Sequence, residues 1–151
     1  MSTSPAHPDY LSYRVKRLYL LISQRIDEAL KPHGLARSQW QVLARVSRAG
    51  TLTQKDLQHA MQIESATLTG IIDVLQGRGW LERLGDPSDK RLRVLRLTDE
   101  GATRLATVPD PFEVVERRML EGIDVAEREH MEGLLETMIA RLEDRDLRNH
   151  T

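Results

Sequence analysis

Residues 85–101 read GDPSDKRLRVLRLTDEG, from Gly85 to Gly101. A basic turn lies here between two short runs of strand character, Trp80–Leu84 and Arg93–Leu97, and Thr98 then opens a helical pattern. Leu95 and Leu97 share one face at a period of two, and Val94 and Arg96 share the other. The loop Gly85–Leu92 is too long for a two-residue hairpin turn and has the length of a projecting wing. Asp99 and Glu100 follow Thr98, a threonine cap with acidic residues at the positive end of a helix.

Directly upstream, Leu68, Ile71, Ile72 and Leu75 stand at i, i+3, i+4 and i+7, one core-facing helical stripe. The other face of that helix, from near Ser65 to a stop at Gly79, carries Ser65, Ala66, Thr67, Thr69, Gly70 and Asp73. Solvated helix faces usually carry Glu, Lys and Gln, which are better helix formers. Short side chains instead let a helix backbone approach a groove floor, where hydroxyls meet bases or phosphates. A small-faced helix followed by a basic hairpin predicts a winged helix-turn-helix, mainly α with a small β-hairpin.

Further upstream, Leu11, Val15, Leu18, Ile22, Ile26 and Ala29 recur at helical spacing between Tyr10 and Lys31. Tyr10, Tyr13, Leu20, Leu21 and Leu30 widen that apolar surface, which predicts more than one partner for this helix. Pro32-His33-Gly34 ends it. Ser38 with Gln41 has capping-box spacing for a second helix with Trp40, Leu43 and Val46 inside. Thr53 with Asp56 caps a third. Downstream, Pro109-Asp110-Pro111 predicts a kink or break, and Asp124 with Glu127 predicts the cap of a last helix. Met131, Leu134, Leu135, Met138, Ile139 and Leu142 form its apolar stripe.

The chain has 151 residues, enough for one domain with a real core. Cysteine is absent, which excludes disulfides and thiol-based sensing. No apolar run approaches a membrane span and no leader pattern opens the chain, so a soluble cytoplasmic protein is expected, with no membrane partner. Charge is uneven although the net is −1. Residues 1–50 carry eight basic and three acidic side chains, and residues 110–148 carry six and twelve. The basic excess thus gathers in the N-terminal third and the wing.

The strings Trp40-Gln41-Val42-Leu43, Leu68–Leu75 followed by Arg78-Gly79-Trp80-Leu81-Glu82-Arg83, and Asp86-Pro87-Ser88-Asp89-Lys90-Arg91 closing on Leu95–Gly101 resemble the MarR family of winged-helix transcription regulators over about residues 10–145. The resemblance implies a homodimeric repressor of a pseudo-palindromic operator, with the two recognition helices in successive major grooves and the wing tips in the flanking minor grooves. Residues 1–8, rich in Ser, Pro and His, are expected to lack fixed structure, and the organisation the resemblance implies for the rest is dimerisation helices (10–34 and 102–146) and a DNA-binding lobe (35–101). Ser65, Ala66, Thr67, Leu68, Thr69 and Asp73 are the implied recognition-helix contacts. Asp89, Lys90, Arg91 and Arg93 are those of the wing, with Arg91 in the minor groove and Asp89 orienting it by a salt bridge. Small phenolic or aromatic ligands releasing the DNA are also implied, and Tyr13, Arg17, Tyr19 and Trp40 are the candidates to line such a pocket.

The five histidines, His7, His33, His59, His130 and His150, lack metal-ligand spacing, so neither a metal nor another cofactor is expected. There is no glycine-rich phosphate loop and no Ser-His-Asp pattern, and no enzyme is expected. The competing expectation is a protein-interaction or ligand-binding dimer that keeps the fold without specific DNA binding.

Overall fold

A computed structural model describes residues 10–85, 88, 89, 91 and 93–144. The expectation for residues 1–8 lies outside the described residues, as does Lys90. Two compact units divide at Phe112 and Glu113.

In the first unit, α1 (Leu11–Leu30) runs into a 3₁₀ turn (Lys31–His33) closed by Gly34 in the left-handed region, φ 66°. Then come α2 (Arg37–Ala49), β1 (Leu52–Thr53), α3 (Gln54–Met61), α4 (Ser65–Gly77), β2 (Leu81–Gly85), β3 (Arg93–Leu97) and α5 (Asp99–Ala106). The strands form one antiparallel sheet in the order β1-β3-β2. Leu81 faces Leu97 and Arg83 faces Leu95 across the wing hairpin, and Leu52 faces Leu95 on the other side.

β1 is absent from the sequence expectation. Its two residues have no strand pattern of their own and exist because β3 offers a free edge. Thr53 ends this strand and also caps α3, its hydroxyl accepting from the Asp56 N–H at 3.0 Å. The first wing strand begins at Leu81 rather than Trp80, because Trp80 still belongs to the end of α4. Its N–H returns to the Leu75 carbonyl (3.1 Å) and that of Gly79 to Gln76 (3.0 Å), a Schellman closure with Gly79 at φ 76°.

The Ser38–Gln41 cap does not form. α2 starts earlier, with Ala36 at the N-cap, and Gln39 Oε1 accepts from the Ala36 N–H at 3.1 Å. Alanine has no acceptor to return the bond, so only half of a capping box exists. The chain is already helical at Ser38 because Gly34 and Leu35 complete the turn sooner than the pattern suggests.

The core gathers Ile26 and Leu30 of α1, Val42, Leu43 and Val46 of α2, Leu57 of α3, Leu68, Ile72 and Leu75 of α4, and Leu81 and Leu95 of the sheet. Only the last turns of α1 reach it. Leu11, Val15, Leu18, Leu20 and Leu21 of the same helix stay exposed.

The Pro109-Asp110-Pro111 break is observed between α5 and α6 (Pro111–Met119). In the second unit, α7 (Val125–Glu143) opens on a full capping box. Asp124 Oδ1 accepts from the Glu127 N–H (2.8 Å) and Glu127 Oε2 accepts from the Asp124 N–H (3.1 Å). No residue of α7 is buried, although Met131, Leu134, Leu135, Ile139 and Leu142 line it.

Candidate nucleic-acid interface

Helix α4 presents Ser65, Ala66, Thr67 and Gly70 to solvent. Its first turn therefore carries two hydroxyls and no bulk, together with the unpaired N–H groups of a helix start. Leu68 is fully buried with Ile72 and Leu75, so it is a core residue and has nothing to offer a groove. The two readings of Leu68 in the sequence resolve in favour of packing.

Thr69 is half-buried and its hydroxyl is already engaged. It donates to the Ser65 carbonyl and accepts from Gln54 Nε2 of α3, both at 2.9 Å. No hydroxyl proton is left for a base. Gln54 is a residue that the sequence reasoning missed. It lies fifteen positions from Thr69, and only the crossing of α3 and α4 brings the two together.

Asp73 is exposed, but its Oδ1 pairs with Arg83 Nη2 at 3.0 Å. Arg83 also donates through Nη1 to Gln76 Oε1 at 2.7 Å. The Arg83 side chain is only 18% exposed, so this fork ties α4 to the first strand of the wing. Asp73 thereby acts as an anchor for Arg83, a role its place in the sequence did not suggest.

At the wing, Asp89, Arg91 and Arg93 are exposed. Asp89 Oδ1 accepts from the backbone N–H of Arg91 at 2.9 Å. The carboxylate thus shapes the tip through the main chain of Arg91, where a side-chain salt bridge was the expectation. Lys90 lies outside the described residues. Arg96 is held on the sheet by Glu82, which accepts from its Nε and Nη2 at 2.9 and 2.6 Å. The cations that remain for phosphate at the described wing are Arg91 and Arg93.

The expected pocket of Tyr13, Arg17, Tyr19 and Trp40 does not assemble. Tyr13 and Tyr19 are six residues apart on α1, about 240° around the helix, and face different directions. Tyr13 stacks on Tyr10 with centroids 6.2 Å apart, and Arg17 and Tyr19 are exposed. Trp40 is buried and meets Phe112, centroids 5.5 Å apart. These two rings, with Gln41, Ala44, Arg45, Arg48 and Asp110, line a cleft of about 260 Å³. Among the described residues no group of three His, Asp or Glu side chains is placed to hold a metal.

A helix-turn-helix of α3 and α4, with a β2–β3 wing behind it, defines a winged helix-turn-helix protein. A family model described as the MarR family matches residues 35–92, the segment that contains these elements. The HTH-type transcriptional regulator PecS of Dickeya dadantii is 29% identical over 124 residues, covering 80% of this chain and 75% of that protein. The multiple antibiotic resistance protein MarR of Salmonella typhimurium is 33% identical over 90 residues, covering 57% and 62%. The solved structure of BpsR from Bordetella bronchiseptica, which addresses regulation of its DNA binding by 6-hydroxynicotinic acid, superposes with a TM-score of 0.76 at 25% identity. That match covers 95% of this chain and all of the other. Over its winged-helix segment, residues 35–92, the chain matches the MarR family.

Proposed function

We propose that this chain is a homodimeric, sequence-specific DNA-binding transcriptional regulator, a repressor of a pseudo-palindromic operator. The observation that carries the reading is the first turn of α4. Ser65, Ala66 and Thr67 are exposed together there, on a helix whose opposite face is locked into the core by Leu68, Ile72 and Leu75. Such a helix start brings backbone N–H groups and short hydroxyls to a groove. Arg91 and Arg93 of the wing add cations for the flanking phosphates and the minor groove. A second copy supplies the other half-site and covers the apolar faces of α1 and α7. The organisation that fits is a reader lobe of residues 35–101 flanked by dimerisation helices, in a cytoplasmic protein that joins the nucleoid when bound.

Release by a small aromatic or phenolic effector belongs to the same reading. Its site is the Trp40–Phe112 cleft, whose walls are aromatic and whose rim carries Arg45 and Arg48. Tyr13, Arg17 and Tyr19 are exposed at different directions around α1 and lie apart from that cleft.

The test is a binding selection from a random duplex pool, followed by anisotropy titration of the selected duplex and a scrambled one at two salt concentrations. Saturable binding to the selected duplex, at least about a thousandfold tighter than to the scrambled one, is the expected result. Equal and weak binding to both would replace the regulator with the non-DNA-binding dimer.

A further inference from the structure

Trp80 is half-buried immediately behind α4, and two guanidiniums lie over its indole ring. Arg78 Cζ is 5.0 Å from the ring centroid and Arg104 Cζ is 5.6 Å. Each arginine also donates to a backbone carbonyl. Arg78 Nη1 reaches the Gly34 carbonyl at 2.9 Å, and Arg104 Nη2 reaches that of His33 at 2.5 Å. These are consecutive carbonyls at the end of the 3₁₀ turn that closes α1, where a helix end leaves acceptors without intrahelical donors. Arg104 Nε is buried without a partner among the described residues, a cost accepted to keep this guanidinium in place.

Two of the elements joined here, α4 and the first wing strand, read DNA under the function proposed above, and the third, α5, follows the wing. Arg78 is the C-cap of α4, Trp80 leads into the first wing strand, and Arg104 comes from α5. The Trp80 carbonyl also accepts from the Thr98 N–H at 3.2 Å, and the Gly79 carbonyl accepts from the Thr98 hydroxyl. Arg78 and Arg104 tie this cluster to the α1–α2 turn at two adjacent carbonyls.

We propose that Arg78, Trp80 and Arg104 form a positioning clamp that sets the angle of α4 against the end of α1, and with it the fidelity of base reading. The proposal rests on the DNA-binding reading above. Helix α4 has 13 residues and is about 20 Å long, so a 10° swing at its clamped end moves the first turn by about 3 Å. Hydrogen bonds from Ser65 and Thr67 to base edges fail at a fraction of that displacement. Phosphate attraction, being longer in range, survives it.

Arg78→Lys and Arg104→Lys keep the charge and remove the planar group that both stacks and reaches the carbonyl. Trp80→Leu removes the ring, and Trp80→Phe keeps an aromatic face. The Lys variants and Trp80→Leu are expected to bind the selected duplex about tenfold more weakly, with binding to the scrambled duplex unchanged. Trp80→Phe is expected to stay within about threefold of the parent on the selected duplex. Parental affinity in Arg104→Lys and Arg78→Lys overturns the clamp, and so does an equal loss on both duplexes, which would mark a plain phosphate contact. Hydrogen exchange of the free protein gives an arm independent of DNA. In Arg104→Lys the amides of Ile72 and Leu75 should exchange faster while those of Val42 and Leu43 do not. Unchanged exchange at Ile72 and Leu75 also overturns the clamp. A parent protein that fails to discriminate between the duplexes refutes the DNA-binding reading, and the exchange result still decides whether the clamp holds the helix.

Discussion

Gly101 occupies the first turn of α5, where an added Cβ would lie 1.9 Å from the Trp80 carbonyl oxygen and 2.7 Å from its carbon. Backbone cannot yield as a flexible side chain can, so Gly101→Ala must push α5 away from Trp80 and break the Thr98–Trp80 hydrogen bond. A loss of about 3 kcal/mol in urea denaturation is expected. Gly70 is the opposite case: it is helical, with nothing within 4 Å of an added Cβ. Gly70→Ala should therefore gain about 0.5–1 kcal/mol in the same assay. Loss in both variants would show that helical propensity, not contact, is misjudged here. At the wing, Arg91→Ala should weaken operator binding by about 1–3 kcal/mol in an anisotropy titration while sedimentation still reports the parental oligomer. The role of Gly101 was not legible in the sequence, because nothing local reveals a carbonyl twenty-one residues upstream. The exposure of Ser65, Ala66 and Thr67 was legible, since a missing set of good helix formers is a property of the helix alone.

Elements inherit both kinds of information. The caps at Thr53, Thr98 and Asp124 were readable, because a cap is a local exchange of hydrogen bonds within four residues. The Ala36 cap was not, since alanine carries no capping group and the turn at Gly34 fixes the start of α2 instead. β1 and the Gln54–Thr69 and Arg83–Asp73 ties depend on partners brought close by folding, and one-dimensional pattern has no access to them. Tyr13, Arg17, Tyr19 and Trp40 are not gathered within this chain for a related reason: their residue types suit an aromatic anion, but their directions around α1 and the burial of Trp40 are set by the fold. Thr98 shows what a legible element contributes. Its hydroxyl donates to the Gly79 carbonyl and accepts from the Gly101 N–H, so one oxygen starts α5 and holds it against the end of α4. Thr98→Val keeps the shape and removes both bonds. It should cost about 2 kcal/mol in thermal or urea unfolding, whereas Thr98→Ser should recover most of that. A Val variant as stable as the parent would mean that water replaces the hydroxyl at no cost.

At the scale of the whole molecule, the folded chain leaves two long helices with apolar side chains in water. Leu134 and Leu135 of α7 are 50% and 43% exposed, and Leu18 of α1 is 48% exposed. Apolar stripes at helical spacing on elements this long need a partner surface, and in the dimer proposed above a second copy supplies one with two-fold symmetry. Symmetry also sets how the protein should respond to salt. In that dimer Arg91 and Arg93 of two wings would bring four cations against the duplex, each displacing a counterion, so log affinity should fall against log salt with a slope of about −4 or steeper. Leu135→Glu places a charge in the apolar stripe of each copy and should yield a monomer by sedimentation equilibrium. A monomer engages one half-site with half the cations, so its slope should drop to about −2. It also loses the effective concentration that joins the two half-site events, and operator affinity should fall by at least about a hundredfold. A Leu135→Glu protein that remains dimeric would place the α7 stripe outside the dimer interface. A monomer that keeps the parental slope would show that the phosphate contacts lie elsewhere than on paired wings.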